Sequence, residues 1–103
     1  MTWHVLLLPA AETDIQAAID HYNSVRPGYG ELFRLEVDRA VALIRRWPEG
    51  YERVTPRLRR AVLRRFWYAV IYRPLPDAIR IVGVVSTYRN PAILAGIEQS
   101  EPE

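Results

Sequence analysis

The sequence predicts an α+β domain of order β-α-α-β-β-β, an antiparallel sheet with an N-terminal helical hairpin packed on one face. Three observations lead there. Two stretches in the first half carry apolar residues at helical spacing, with Arg26-Pro27-Gly28-Tyr29-Gly30 as the break between them. Three short apolar and β-branched runs follow residue 57, divided by turn residues. The length, 103 residues, suits one domain with one modest core, expected over residues 1–97, with residues 98–103 as an acidic mobile tail.

Each element has its own reason. Residues 2–8 are apolar, β-branched and aromatic until Pro9 stops them, and an unbroken apolar run predicts a strand buried on both faces, in the middle of the sheet. Residues 10–24 place Ile15, Ala18, Ile19 and Tyr22 on one helical stripe, with Glu12 and Asp14 near the favourable N-terminal end of the dipole. Thr13 and Gln16 have capping-box spacing, an alternative start one turn later. Residues 31–46 form the second helix, where Phe33, Val37, Ala40, Ile44 and Trp47 step along one face. A short link predicts that the two helices pair as an antiparallel hairpin. Residues 51–56 read as a loop. Strands are expected over 58–63, 68–72 and 79–85, with Pro74-Leu75-Pro76-Asp77 as a turn and Gly83 as a bulge or close-packing point. The second face of the sheet is expected to be partly open and lined by arginine.

Composition narrows the function classes. The chain has no cysteine, which removes disulfides, zinc–thiolate sites and cysteine nucleophiles. No apolar run approaches the roughly 18 residues of a membrane span, and Val5-Leu6-Leu7-Leu8 lacks the length and basic flank of a secretory signal, so a cytoplasmic protein without a membrane role is expected. All 14 basic residues are arginine, a side chain that stays ionised and presents a planar fork to carboxylates and phosphates. Seven of them lie between Arg53 and Arg73, where no acidic residue occurs. This concentration is either a solvated strand face or a surface for an acidic partner or nucleic acid.

Several short pieces together resemble the RelE/ParE superfamily of type II toxin–antitoxin toxins, the ParE-like branch in particular, over residues 9–91. Ala11-Glu12-Thr13-Asp14-Ile15 resembles that family's first-helix start, with Tyr22 at its end, and Arg26-Pro27-Gly28-Tyr29-Gly30-Glu31-Leu32-Phe33 its inter-helix segment. Trp47-Pro48 is similar to the aromatic–proline end of the second helix. Phe66-Trp67-Tyr68-Ala69-Val70-Ile71-Tyr72 is similar to a Phe-Pro-Tyr-x-(apolar)-x-Tyr strand, and Arg89-Asn90-Pro91 to an Arg-Asp-Pro end. Two departures stand out: Trp67 replaces a common proline, and Ser86 stands where a histidine often closes the last strand.

The resemblance implies a small toxin neutralised by a cognate ParD-like antitoxin. ParE-like members are associated with DNA gyrase inhibition by binding, and RelE-like members with cleavage of mRNA on the ribosome. The antitoxin or target surface is expected at Arg57, Arg59, Arg60, Arg64, Arg65, Tyr88 and Arg89. Nuclease chemistry by a 2′-hydroxyl needs a base, an acid and cations around the phosphate. In a RelE-like reading, Arg60, Arg64, Arg89 and Tyr88 would carry it. However, Val62 and Ala69 occupy positions where basic groups are sought, and Ala92-Ile93-Leu94-Ala95 brings no titratable side chain. His4 and His21 have no carboxylate or serine spaced for a relay, Glu12 and Asp14 read as helix-start charges, and no ligand set for a metal or loop for a cofactor's phosphates emerges. The expectation is therefore a gyrase-directed binder without cofactor or metal. The alternatives are a RelE-like endonuclease, or a non-toxic binding module of the same fold.

Overall fold

The hairpin forms because its two helices can approach closely at one glycine. The computed structural model describes residues 4–87 and 91–103, and within it α1 spans Pro9–Val25 and α2 Tyr29–Arg46. Pro9 opens α1, where a missing N–H costs nothing, so the later capping-box start is not used. Gly28, at φ 87°, turns the chain in the left-handed region, and a side chain there would be strained. Gly30 faces α1: a Cβ at this position would lie 2.6 Å from Asn23 and 2.7 Å from the Ile19 carbonyl. Its N–H instead donates to Asn23 Oδ1 at 2.8 Å.

The predicted stripes are buried at Ile15, Ala18 and Ile19 on α1 and at Phe33, Val37, Ala40 and Ile44 on α2; Ala11 joins the first, and Tyr22 is only partly buried. Trp47 departs from its stripe. It ends α2 half exposed, with the Arg46 guanidinium 4.6 Å above its ring. Between the helices and the sheet, Tyr22, Tyr29, Phe33, Phe66 and Tyr68 form an aromatic cluster with centroids 4.8–6.1 Å apart.

The sheet has five strands, β1 His4–Leu7, β2 Glu52–Arg53, β3 Arg59–Val62, β4 Tyr68–Pro74 and β5 Ala78–Ser86, in the order β1-β5-β4-β3-β2. Two expectations change. β1 is an edge strand, with Leu6 and Leu7 each 42% exposed, and it runs parallel to β5 while the other pairs are antiparallel. Its apolar run was misleading because such a run signals burial on both faces only when strands flank both sides. β2, a two-residue strand, lies inside the stretch expected to be loop.

The bulge falls next to Gly83. Ile71 pairs with Gly83 and Tyr72 with Ile81, so Val82 is the extra residue. The shift changes the alternation: Ile79, Ile81 and Val84 all join the core under the helices, whereas Val82 and Val85 face the other way. Tyr72, fully buried, donates its hydroxyl to the Pro48 carbonyl at 2.7 Å, pinning β4 to the end of α2. Burial pushes its phenol well above the ordinary tyrosine range.

The second face of the sheet is not open. A third helix, α3 Pro91–Ser100, which the sequence reading did not anticipate, lies across it. Leu94 and Ile97 pack on Leu58, Ala69, Ile71 and Val82. Where a mobile acidic tail was expected, Glu98 lies in the last turns of α3 and Glu101 just beyond it is buried.

Candidate functional site

Arginine dominates the surfaces that could act, so its placement decides what they can do. Arg59 and Arg60 are neighbours in β3, and successive strand residues point to opposite faces. Arg59 Nη2 meets Glu49 at 2.8 Å while its Nη1 donates to the Tyr51 carbonyl at 2.6 Å. Arg60 Nε pairs with Glu52 at 2.8 Å. Arg57 reaches α3: its Nε contacts Glu98 at 2.6 Å, and its Nη atoms donate to the carbonyls of Glu98, Glu101 and Pro102. The arginines expected on one cationic side of β3 are therefore split between two faces, and these three have internal partners.

Two of the remaining candidates are different. Arg64 and Arg65 lie in the β3–β4 loop, exposed, with no hydrogen bond or ion pair to another described residue. They sit between exposed Val62 and Trp67, the latter 65% exposed, whereas Phe66 turns inward to the aromatic cluster. This loop thus combines cationic and apolar side chains. Tyr88 and Arg89, the last two candidates, lie outside the described residues.

The sequence reading missed a charge network that closes over α3. Arg73 and Arg80, cross-strand partners in β4 and β5, both bind Glu101, at 3.3 and 3.0 Å. Glu101's side chain is 4% exposed and the two arginines 13% and 22%, so this triad is substantially removed from water. Glu98 accepts from the Thr55 hydroxyl at 2.6 Å and from the Arg57 backbone and guanidinium. The Thr55 hydrogen bond, followed by those from Arg57, holds the Glu98 carboxyl below its ordinary range. A signal existed: two acids three residues apart follow an acid-free, arginine-rich segment. The opposite charges meet within the chain.

Asp14 also has a role that its position in α1 did not suggest. β5 pairs with β1 only through Ile81, leaving the outer side of its later residues without a strand partner. There Asp14 Oδ2 accepts the Val84 N–H at 3.0 Å. α1 and α3 flank this edge, and the groove of about 360 Å³ between them is lined by Asp14, Ala17, Tyr68, Ser86, Ile93 and Ile97 among others. Capping the edge with a carboxylate blocks one of the donors a further strand would use.

Burial raises Tyr22 and Tyr72 away from the range in which a tyrosine exchanges protons readily. Val62 is exposed and Ala69 is buried in the sheet. Among the described residues no group of three or more His, Asp or Glu could hold a metal, and no helix is long and apolar enough to cross a membrane.

No family model matches the sequence, and no curated protein matches it significantly. The structure does find a neighbour: a chain from the "Chromosomal ParDE TA system from P. aeruginosa" superposes with a TM-score of 0.74 at 19% identity, over 82% of this chain and 96% of that one. The fold is the RelE/ParE fold. At this identity the likeness concerns backbone architecture, the helical hairpin on a five-stranded sheet, rather than particular side chains. The RelE/ParE fold here carries an arginine-rich β3–β4 region and a C-terminal helix clamped by salt bridges.

Proposed function

We propose that this chain is a ParE-like toxin of a type II toxin–antitoxin system, acting by binding rather than by catalysis and neutralised by a ParD-like antitoxin. The observation that carries the reading is the fold correspondence with nearly the whole of a chain from a ParDE system. A binder is favoured because Arg60, a cation that the endonuclease reading needs, is committed to Glu52, while Arg64, Arg65 and Trp67 stay exposed for a partner. DNA gyrase is the proposed target, as the ParE resemblance implies.

The antitoxin surface we assign is the end of β3 with the β3–β4 loop: Val62, Arg64, Arg65 and Trp67. A flexible segment mixing acidic and apolar residues complements that loop, and electrostatic steering makes such association fast and salt-sensitive. Arg64→Glu with Arg65→Glu is expected to slow association with the antitoxin and flatten its salt dependence. An unchanged salt slope would remove the loop from the interface.

Target and toxicity are tested by three assays on the same protein: growth on induced expression, DNA supercoiling by gyrase, and translation of a reporter mRNA. Growth arrest with blocked supercoiling and intact mRNA is the expected result. Intact supercoiling with site-specific mRNA cuts would replace the binder with a RelE-like endonuclease. No arrest and no effect in either assay would make the chain a non-toxic module of this fold.

A further inference from the structure

The groove between α1 and α3, along the uncovered edge of β5, holds a carboxylate without a cation. Four carboxylates among the described residues are not exposed: Asp14, Glu36, Glu98 and Glu101. Glu36, Glu98 and Glu101 each pair with arginine. Asp14 pairs with none, and its one hydrogen bond comes from the Val84 N–H at 3.0 Å. We propose that this groove binds a small free amine, an ammonium group on a short aliphatic body.

The charge sets the head of the ligand. Asp14 is the one charged side chain among the described residues that line the groove. A carboxylate partly withdrawn from water is stabilised by a cation, and the arginines of this chain serve the other three. A divalent metal needs several oxygen ligands, and no group of three or more His, Asp or Glu gathers among the described residues. A guanidinium binds a carboxylate best through both oxygens, but Oδ2 already accepts the Val84 N–H. An ammonium is compact, carries three donors and can use Oδ1 alone. The Val84 carbonyl offers a second acceptor, because a strand residue's N–H and C=O point to the same side of an antiparallel ladder.

The walls set the body. Ala10 and Ala17 give α1 short side chains along the groove, and Ile93 and Ile97 line it from α3. Gly83 keeps the floor clear: a Cβ there would lie 3.4 Å from both Asp14 Oδ2 and Ile97 Cδ1. Tyr68 adds an aromatic ring, which also attracts organic cations. The volume, about 360 Å³, falls within the range of small-molecule pockets, about 300–1,000 Å³, which are likewise mostly apolar with a few polar groups. An aliphatic chain attached to the ammonium buries against these side chains.

The test is an NMR titration of the full chain with hexylammonium chloride, with sodium hexanoate and ammonium chloride at matched ionic strength as controls. Saturable shifts at the Val84 amide and the Ile93 and Ile97 methyl groups are expected with hexylammonium alone. Asp14→Asn keeps an oxygen for the Val84 N–H but removes the charge, and weakens hexylammonium by about tenfold. Ala17→Leu, at an exposed position of α1, keeps the charge and the melting temperature but fills the groove, so binding is lost. Glu12→Gln, an exposed acid outside the groove, leaves binding unchanged. Three results would overturn the site: no saturation with hexylammonium, equal affinity in either the Asp14 or the Ala17 variant, or comparable binding of hexanoate. Tighter binding of Nα-acetyl-lysine amide than of hexylammonium would overturn the free amine in favour of a protein's lysine side chain. The groove uses none of the residues assigned to the antitoxin surface, so the two readings stand or fall separately.

Discussion

The two faces of the sheet are covered by helices in unlike ways. Under α1 and α2 the contact is apolar and aromatic: Ile15, Ile19, Phe33, Val37 and Ile44 meet Val70, Ile79, Ile81 and Val84, all nearly inaccessible to water. Under α3 the apolar contact is small, Leu94 and Ile97 on Leu58, Ala69, Ile71 and Val82, and α3 itself buries no residue fully. Arg57–Glu98 and the Arg73–Glu101–Arg80 triad supply the rest. Apolar burial scales with area and ignores pH and salt, whereas ion pairs respond to both. The hairpin face is therefore expected to set global stability, and the α3 face to open more readily than the hairpin.

The largest effect that tests this contrast is loss of a hairpin anchor. Phe33→Ala removes a fully buried ring from both the α2 stripe and the aromatic cluster, and is expected to cost about 3–5 kcal/mol of global stability, read from urea unfolding. A loss under about 1 kcal/mol would mean that the hairpin does not carry the core. Glu101→Gln should come next, at about 2 kcal/mol, because it leaves two partly desolvated arginines without their counter-charge. The measurement that matters is hydrogen exchange, which should accelerate in α3 while α1 and α2 keep their protection. Uniform acceleration across all three helices would show one cooperative unit instead.

The smallest effect is set by pH. Glu98 is held below its ordinary value, so the unfolded chain takes up the proton first as pH falls. The stabilisation from this group is complete above the ordinary glutamate range, near pH 4.5, and is lost as pH falls through the lowered native value. Exchange at α3 should rise across that acidic window, and Glu98→Gln should abolish the window. A pH response retained in the variant would assign it to another group.

Much of the architecture was legible because it depends on local periodicity. The stripes at 15, 18 and 19 and at 33, 37, 40 and 44 are buried, the break at Arg26-Pro27-Gly28-Tyr29-Gly30 turns the chain, and Gly83 lies at the bulge. The failures share a cause. β1 reads like a central strand, yet its place depends on which strand it pairs with, 74 positions later. α3 has weak helical patterning because much of its attachment comes through salt bridges to distant arginines. The arginine cluster was visible as composition, but its division into internally paired residues and the exposed Arg64–Arg65 pair was not.

By itself the sequence determined the helical hairpin, the three meander strands and the excess of arginine in the middle of the chain, since spacing and composition act over a few residues. Only the tertiary structure decided that Glu98 and Glu101 meet that arginine and that Asp14 caps the edge of β5. These pairings join distant residues, 41 positions apart for Arg57 and Glu98 and 70 for Asp14 and Val84. Charge attraction names no partner at such separations; the packed sheet brings the partners within reach.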